Sequence, residues 1–325
     1  MHEWMKSGYI CHPQQICTVR RMTLAEGKAK GTDVIEVCTA GGLQVDILPD
    51  CGLDIGQVRY KGMNMTFLSK NGYDSPTAAI PYEAEFLNTF PGGLVYTCGL
   101  RTTGGGHRDG EEWQPFHGRY HDLPAEQISV EQADGFVTVK GTVRETALFG
   151  HALEVRRTIC IPVDGSAIVL SDELTNLGFR EEEFALLYHC NFGYPLVSPD
   201  ASLVLPEDRK TTPRTDYAAT GLDGHTGFYA PIPGDPEMVF FHENMSHTAA
   251  LVNPSAHVRM DIAWSDTLPI LAHWRSMASG DYVCGLEPTN CYIMGRKAER
   301  ENGTLPTIAP FETIKTQVKI RFQDI

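Results

Sequence analysis

No apolar run in this 325-residue chain approaches the roughly 20 residues that cross a bilayer. The first stretch, Met1 to Arg21, mixes His, Glu, Lys and Gln and lacks the apolar core of a signal peptide. There is no C-x-x-C pair, and the nine cysteines, at 11, 17, 38, 51, 98, 160, 190, 284 and 291, are odd in number. Reduced thiols in a cytoplasm are therefore expected rather than a disulfide framework. Three N-x-[ST] matches, at Asn64, Asn244 and Asn302, then read as chance. Positive charge is scarce: 27 Lys and Arg against 41 Asp and Glu leave a net charge of −14. That balance argues against nucleic acid or an anionic membrane as partner, although one local arginine can still serve an anionic small substrate. Pro/Ser-rich linkers, low-complexity tracts and internal repeats are missing, so residues 1–325 read as a single domain, with 1–30 as an N-terminal extension packed on it.

What is present is ordinary globular composition, 42% hydrophobic and 21% charged, with a dominant period of two. Val34 to Val37, Leu43 to Leu48, Phe136 to Val143, Leu153 to Ile161, Ala167 to Leu174 and Ile314 to Phe322 alternate as strands with one wet face. Asp134-Gly135, Asp164-Gly165 and Asn302-Gly303 punctuate them as turns. Stripes at 3.6-residue spacing are scarce; Tyr82 to Asn88 reads as one short helix. The fold class expected is all-β, a large antiparallel β-sandwich that buries inner faces and limits exposed edges.

Two residues stand out against this background. Glu287 ends the apolar run Tyr282-Val283-Cys284-Gly285-Leu286 and is followed by Pro288. His189 lies in Phe184-Ala185-Leu186-Leu187-Tyr188-His189-Cys190-Asn191-Phe192. A carboxylate and an imidazole on two apolar strands form the minimal apparatus for moving protons on a small molecule. The plainer readings are a satisfied core histidine and a structural salt bridge. Asn191 and nearby aromatic rings suit a sugar pocket, and Trp274 serves equally as a sugar floor or a core ring. The segment Arg101 to His121 is dense in glycine, arginine and histidine, but no G-K-[ST] makes it a phosphate loop. His107, His117 and His121 admit a metal reading without any H-E-x-x-H, and no metal or cofactor is expected. His117 and Arg119 are candidates to fix substrate hydroxyls or an acidic group. If this stretch is extended, His117, Arg119 and His121 point to one face.

The order of motifs resembles the aldose 1-epimerase (galactose mutarotase-like) superfamily, and within it the DUF4432 branch. Leu48-Pro49-Asp50-Cys51-Gly52-Leu53-Asp54-Ile55-Gly56, Phe90-Pro91-Gly92-Gly93-Leu94, Phe116-His117-Gly118-Arg119-Tyr120, Leu187-Tyr188-His189-Cys190-Asn191-Phe192-Gly193 and Gly285-Leu286-Glu287-Pro288 carry it. The resemblance implies the mutarotase supersandwich with a sugar in an open cleft on one sheet. It implies His189 as acid, Glu287 as base and His117 as the second, substrate-contacting histidine. The family's Gly-Tyr-Asp-His segment has no good counterpart in Thr220-Gly221-Leu222-Asp223-Gly224-His225, and Arg101 lies in the comparable part of the chain without the family's arginine loop. The identity of the sugar therefore stays open.

The expectation is a cofactor-free carbohydrate epimerase of aldose 1-epimerase type. Catalysis falls to His189 and Glu287, and substrate binding to His117, Arg119, Arg101, Asn191 and Trp274. His189 would need support from a carboxylate or carbonyl to be imidazolium at working pH. The partner is a small sugar rather than nucleic acid or membrane, with a homodimer left open. The rival readings are a metal-dependent sugar isomerase or lyase and a non-catalytic carbohydrate-binding protein.

Overall fold

The computed structural model describes residues 3–75 and 85–325. Within them the alternation seen in the sequence becomes strands Asp33–Thr39, Leu43–Leu48, Phe136–Thr146, Ala152–Pro162, Ala167–Asn176 and Thr313–Asp324. Along Ala167–Asn176 the buried residues are Ile168, Leu170, Asp172, Leu174 and Asn176, one face of a pleated strand. Of the helix expected over Tyr82 to Asn88, the described part is Glu85–Thr89, and positions 82–84 lie outside the described residues. No helix among the described residues is long and apolar enough to cross a membrane.

The strands form sheets of five, eight and six strands, with two small two-stranded ribbons. Cys17–Thr23, expected inside an N-terminal extension, is instead the edge strand of the five-stranded sheet, paired antiparallel with Asp33–Thr39. The six-stranded sheet runs Lys210–Pro213, Met238–Glu243, Ile270–Ala278, Asp281–Thr289, Ala185–Phe192, Tyr96–Leu100. Every residue of Ala185–Phe192 is buried, because this strand is covered on both faces and so reads as a continuous apolar run.

The two faces of that sheet do different things. Leu186, Tyr188, Cys190, Phe192, Cys284 and Leu286 enter the main core, shared with the inner faces of the other two large sheets. Tyr96, Leu187, Val239, Phe241, Ala272 and Val283 face the other way and form a second cluster with Phe67 and Phe90.

A buried ionic network ties the three sheets together. Arg157 of the eight-stranded sheet donates to Asp172 at 2.9 and 2.7 Å, to Asp54 of the five-stranded sheet at 2.5 Å, and to Thr97 of the six-stranded sheet at 3.0 Å. The Tyr188 hydroxyl donates to Asp172 at 2.7 Å. Asp54 also accepts from the Thr97 N–H at 2.7 Å, from the Thr97 hydroxyl at 2.6 Å, and from His121 Nδ1 at 2.7 Å. Each carboxylate is thus held by several donors, the condition under which buried charge is tolerated.

Candidate active site

Strand alternation places His189 on the second-cluster face, one residue from Tyr188, which points into the ionic network. The pairings Leu187↔Thr289 and Asn191↔Gly285 on either side set His189 opposite Glu287. Tyr96 flanks His189 on its other neighbour, and Ala272 flanks Glu287. Small residues make room for the carboxylate: a Cβ on Gly285 would lie 2.6 Å from Glu287 Oε1 and 3.0 Å from the Trp274 Cβ. Alanine at 285 would therefore push Glu287 or Trp274 out of place.

His189 Nε2 and Glu287 Oε1 stand 3.2 Å apart, both side chains buried. The histidine tautomer is fixed from behind. Asn191 donates both amide hydrogens to backbone carbonyls, Gly93 and His189, each at 3.0 Å. Its oxygen must then face His189 Nδ1, at 2.5 Å, so Nδ1 carries a proton and the Nε2 lone pair faces Glu287. Glu287 Oε1 has no hydrogen-bond donor of good geometry on it. Burial lowers His189 to about 4, against the supporting effect of the Asn191 hydrogen bond. Burial likewise raises Glu287 well above the ordinary carboxylate value; the charge of Arg214 opposes this and that of Glu237 adds to it. Burial thus favours the uncharged form of each member of the pair. The imidazolium expected for His189 is not the resting form, because an amide oxygen is a weaker counter-charge than a carboxylate.

Around the pair stands an aromatic wall. The ring of Trp274 lies 5.3 Å from that of His189 and the ring of Phe90 5.4 Å, while Phe86 packs on Phe90, Tyr96 and Phe116. His117 lies edge-on to His189, ring centres 5.7 Å apart, which is within reach of one hexose-sized ligand. Its backbone sits in the left-handed region, φ 58°, followed by Gly118 at φ 80°. A Cβ on Gly118 would meet Gly99 O at 2.2 Å, so this turn requires glycine to lie against the Tyr96–Leu100 strand. The Gly104 N–H donates to His117 Nδ1 at 3.3 Å, which leaves Nε2–H as a donor. Burial holds His117 neutral, with His189 and Arg214 acting in the same direction. Both members of the pair are buried, His189 6% exposed and Glu287 1%.

Several residues singled out in the sequence go elsewhere. Asn191 has both amide hydrogens and its oxygen engaged by protein, so it orients His189 instead of offering donors to a sugar. The segment after His117 is a turn and a 3-10 helix, Tyr120–Asp122, so His117, Arg119 and His121 do not share a face. His121 turns inward to Asp54, and Arg119 is exposed, its charge acting on Asp122 and Glu145. Arg101 is engaged by Glu112 and, at 3.5 Å, by Glu182. His107, His117 and His121 have separate partners, in Gly105, Gly104 and Asp54, and no group of metal-ligand geometry occurs among the described residues.

A cation whose charge reaches Glu287 is Arg214, which sequence reasoning passed over. It follows the strand Lys210–Pro213, contacts Glu237 at 3.3 Å, and its charge is felt by both Glu287 and His117. Glu237 in turn accepts from the Trp274 indole N–H at 2.8 Å. A strand-end arginine in a short polar stretch carries no mark of its position; only the pairing of Met238–Glu243 with both neighbouring strands brings it here.

The architecture is that of the galactose mutarotase-like β-sandwiches. An aldose 1-epimerase, provisionally assigned, from Klebsiella pneumoniae subsp. pneumoniae MGH 78578 superposes with a TM-score of 0.89 at 23% identity, over 95% of this chain and 84% of that one. A galactose mutarotase-like protein from Clostridium acetobutylicum gives 0.66 at 14%, over 96% and 100%. The galactose 1-epimerase of Lactobacillus acidophilus NCFM gives 0.65 at 15%, over 94% and 99%. At these identities the likeness is one of fold. Residues 29–322 match the family model described as a domain of unknown function, DUF4432, and the chain belongs to that family. No curated protein matches it in sequence.

Proposed function

We propose that the chain is a carbohydrate isomerase of aldose 1-epimerase type, which interconverts the anomers of a sugar by acid–base ring opening at His189 and Glu287. The observation that carries the reading is the 3.2 Å approach of His189 Nε2 to Glu287 Oε1, with the histidine tautomer locked by Asn191. Moving the Glu287 proton from Oε1 to Nε2 converts the uncharged pair into a carboxylate and an imidazolium. Glu287 then takes the proton of the anomeric O1 hydroxyl while His189 protonates the ring oxygen. The C1–O bond of the ring breaks, C1 becomes an aldehyde, and the pair returns to its uncharged form. Rotation about C1–C2 and the reverse transfers close the other anomer. Each transfer group contributes roughly 10²–10⁴-fold.

The surroundings fit this chemistry. His117 Nε2–H and Arg214 supply donors for sugar oxygens, and Trp274 supplies an apolar ring face. The test is anomer exchange, followed by polarimetry and by magnetisation-transfer NMR, across free and phosphorylated aldoses. Exchange above the buffer rate for at least one sugar is expected. Binding without exchange for every sugar would leave a carbohydrate-binding protein in its place.

A further inference from the structure

We propose that one end of the eight-stranded sheet is the contact face between two copies of this chain. Three loops meet there and expose large apolar side chains. The hairpin between Phe136–Thr146 and Ala152–Pro162 carries Leu148 and Phe149, 86% and 95% exposed. The loop after Ala167–Asn176 carries Leu177 and Phe179, and Phe311 lies just before Thr313–Asp324. The three are joined by backbone: Leu177 N–H donates to Ala152 O, and Phe311 N–H to Asn176 O. Phe179 and Phe311 pack edge to face, ring centres 5.2 Å apart, while remaining 90% and 60% exposed.

The area is that of an interface. A bare phenylalanine presents about 150–250 Å². The five side chains together therefore equal or exceed the largest apolar patch of a typical monomer, roughly 300–600 Å². With their flanking loops they approach the roughly 800 Å² per partner of a standard interface.

The shape argues for a second copy in particular. The hairpin tip is a knob, held out by Phe149 in the left-handed region at φ 60°. Beside it runs a groove of about 370 Å³ lined by Phe149, His151, Leu177, Phe179 and Arg180. A knob and a groove side by side on one surface are what a two-fold contact uses, since each copy can insert its knob into the other's groove. The exposed neighbours at the rim are of both signs, Arg180 and Glu181, so the patch itself does not add to the repulsion between two chains of net charge −14.

Analytical ultracentrifugation of the full chain over a wide concentration range tests this. The wild type is expected to sediment as a dimer, and Phe149→Ser/Phe179→Ser as a monomer with an unchanged far-ultraviolet spectrum. Added salt should preserve or tighten the dimer, because it screens like charge and leaves an apolar contact intact. Should the double variant fold poorly, Leu148→Glu, at a position 86% exposed, replaces it with the same expectation. A wild type that stays at single-chain mass throughout, a variant that dimerises as tightly as the wild type, or a dimer that dissolves with salt would each overturn the proposal.

Discussion

Two buried histidine–carboxylate pairs flank the six-stranded sheet, His121–Asp54 at its Tyr96–Leu100 edge and His189–Glu287 on its second-cluster face, and they are set to opposite states. In the first, His121 Nδ1 meets Asp54 at 2.7 Å, and His121 is raised to about 10. Burial is the largest influence there and opposes the charge, but the hydrogen bond to Asp54 and the effects of Cys51 outweigh it. Asp54 is likewise lowered, because His121, Arg157 and Thr97 together overcome its burial. In the second, His189 is lowered to about 4 and Glu287 is raised, with burial dominant in both. The difference lies in the donors. Asp54 has an arginine, a hydroxyl and a backbone N–H besides its histidine, whereas Glu287 has a histidine whose facing nitrogen bears a lone pair. A fully supported carboxylate fixes the proton on its histidine. An unsupported one favours the uncharged pair, the state from which the proposed ring opening starts.

The largest expected effect is on activity. Glu287→Gln and His189→Asn should each lower anomer exchange by about 10²–10⁴-fold, measured by magnetisation transfer on whichever sugar the wild type turns over. Retention of more than about a tenth of the rate would remove the residue from the chemistry. Both variants should stay folded, and Glu287→Gln should melt at the same temperature or slightly above the wild type, because it replaces a buried acid by an amide able to donate to His189.

Removing the carboxylate of the other pair should instead cost stability. Asp54→Ala should cost about 3–5 kcal/mol of stability, read from urea unfolding, since it leaves His121 without its counter-charge in the core and removes one of the two carboxylates that hold Arg157. A loss below about 1 kcal/mol would mean that the network is not what ties the sheets.

The pairs also respond to pH in opposite senses. His121 is raised, so its contribution to stability is complete below its ordinary value of 6.5 and is lost as pH climbs through about 10. His189 is lowered, so the unfolded chain takes up protons first, and stability falls as pH drops from 6.5 toward about 4. Glu287 is raised above 4.5, so its contribution falls as pH rises from there through its folded value. Activity should follow the one-proton form of the catalytic pair. The rate with respect to free protein should be flat through pH 6.5 and decline near 4 on the acid side. A limb centred at 6.5 would instead describe an ordinary exposed histidine. The smallest effect belongs to Asn191→Asp, which should move that acid limb upward by favouring imidazolium, with the melting temperature as control; an unmoved limb would show that Asn191 does not set the state of His189.

Much of this arrangement was legible in the residues. Alternation located the strands around Val139, Ile159, Leu170 and Val318, and an unbroken apolar context marked His189 and Glu287 as belonging to covered strands. What alternation could not supply was which covered face opens to chemistry, because Ala185–Phe192 is apolar on both. Register resolves it, and register depends on strands about a hundred residues apart. The positive φ at His117 defeated the extended reading of 117–121, and His121 found a partner 67 residues away that no local pattern announces. Asn191 was legible as an amide near the site; that its hydrogens are spent on Gly93 and His189 depends on a turn 98 residues upstream.

The two pairs should differ in one respect: the proton of His121 is fixed, and that of His189 and Glu287 can move. Nitrogen-15 NMR of the imidazoles, assigned with His121→Asn and His189→Asn variants, reads both in one sample. At pH 7 His121 should carry protons on both nitrogens, and His189 should carry one, on Nδ1, down to about pH 5. An imidazolium at His189 at pH 7, or a neutral ring at His121, would contradict the account.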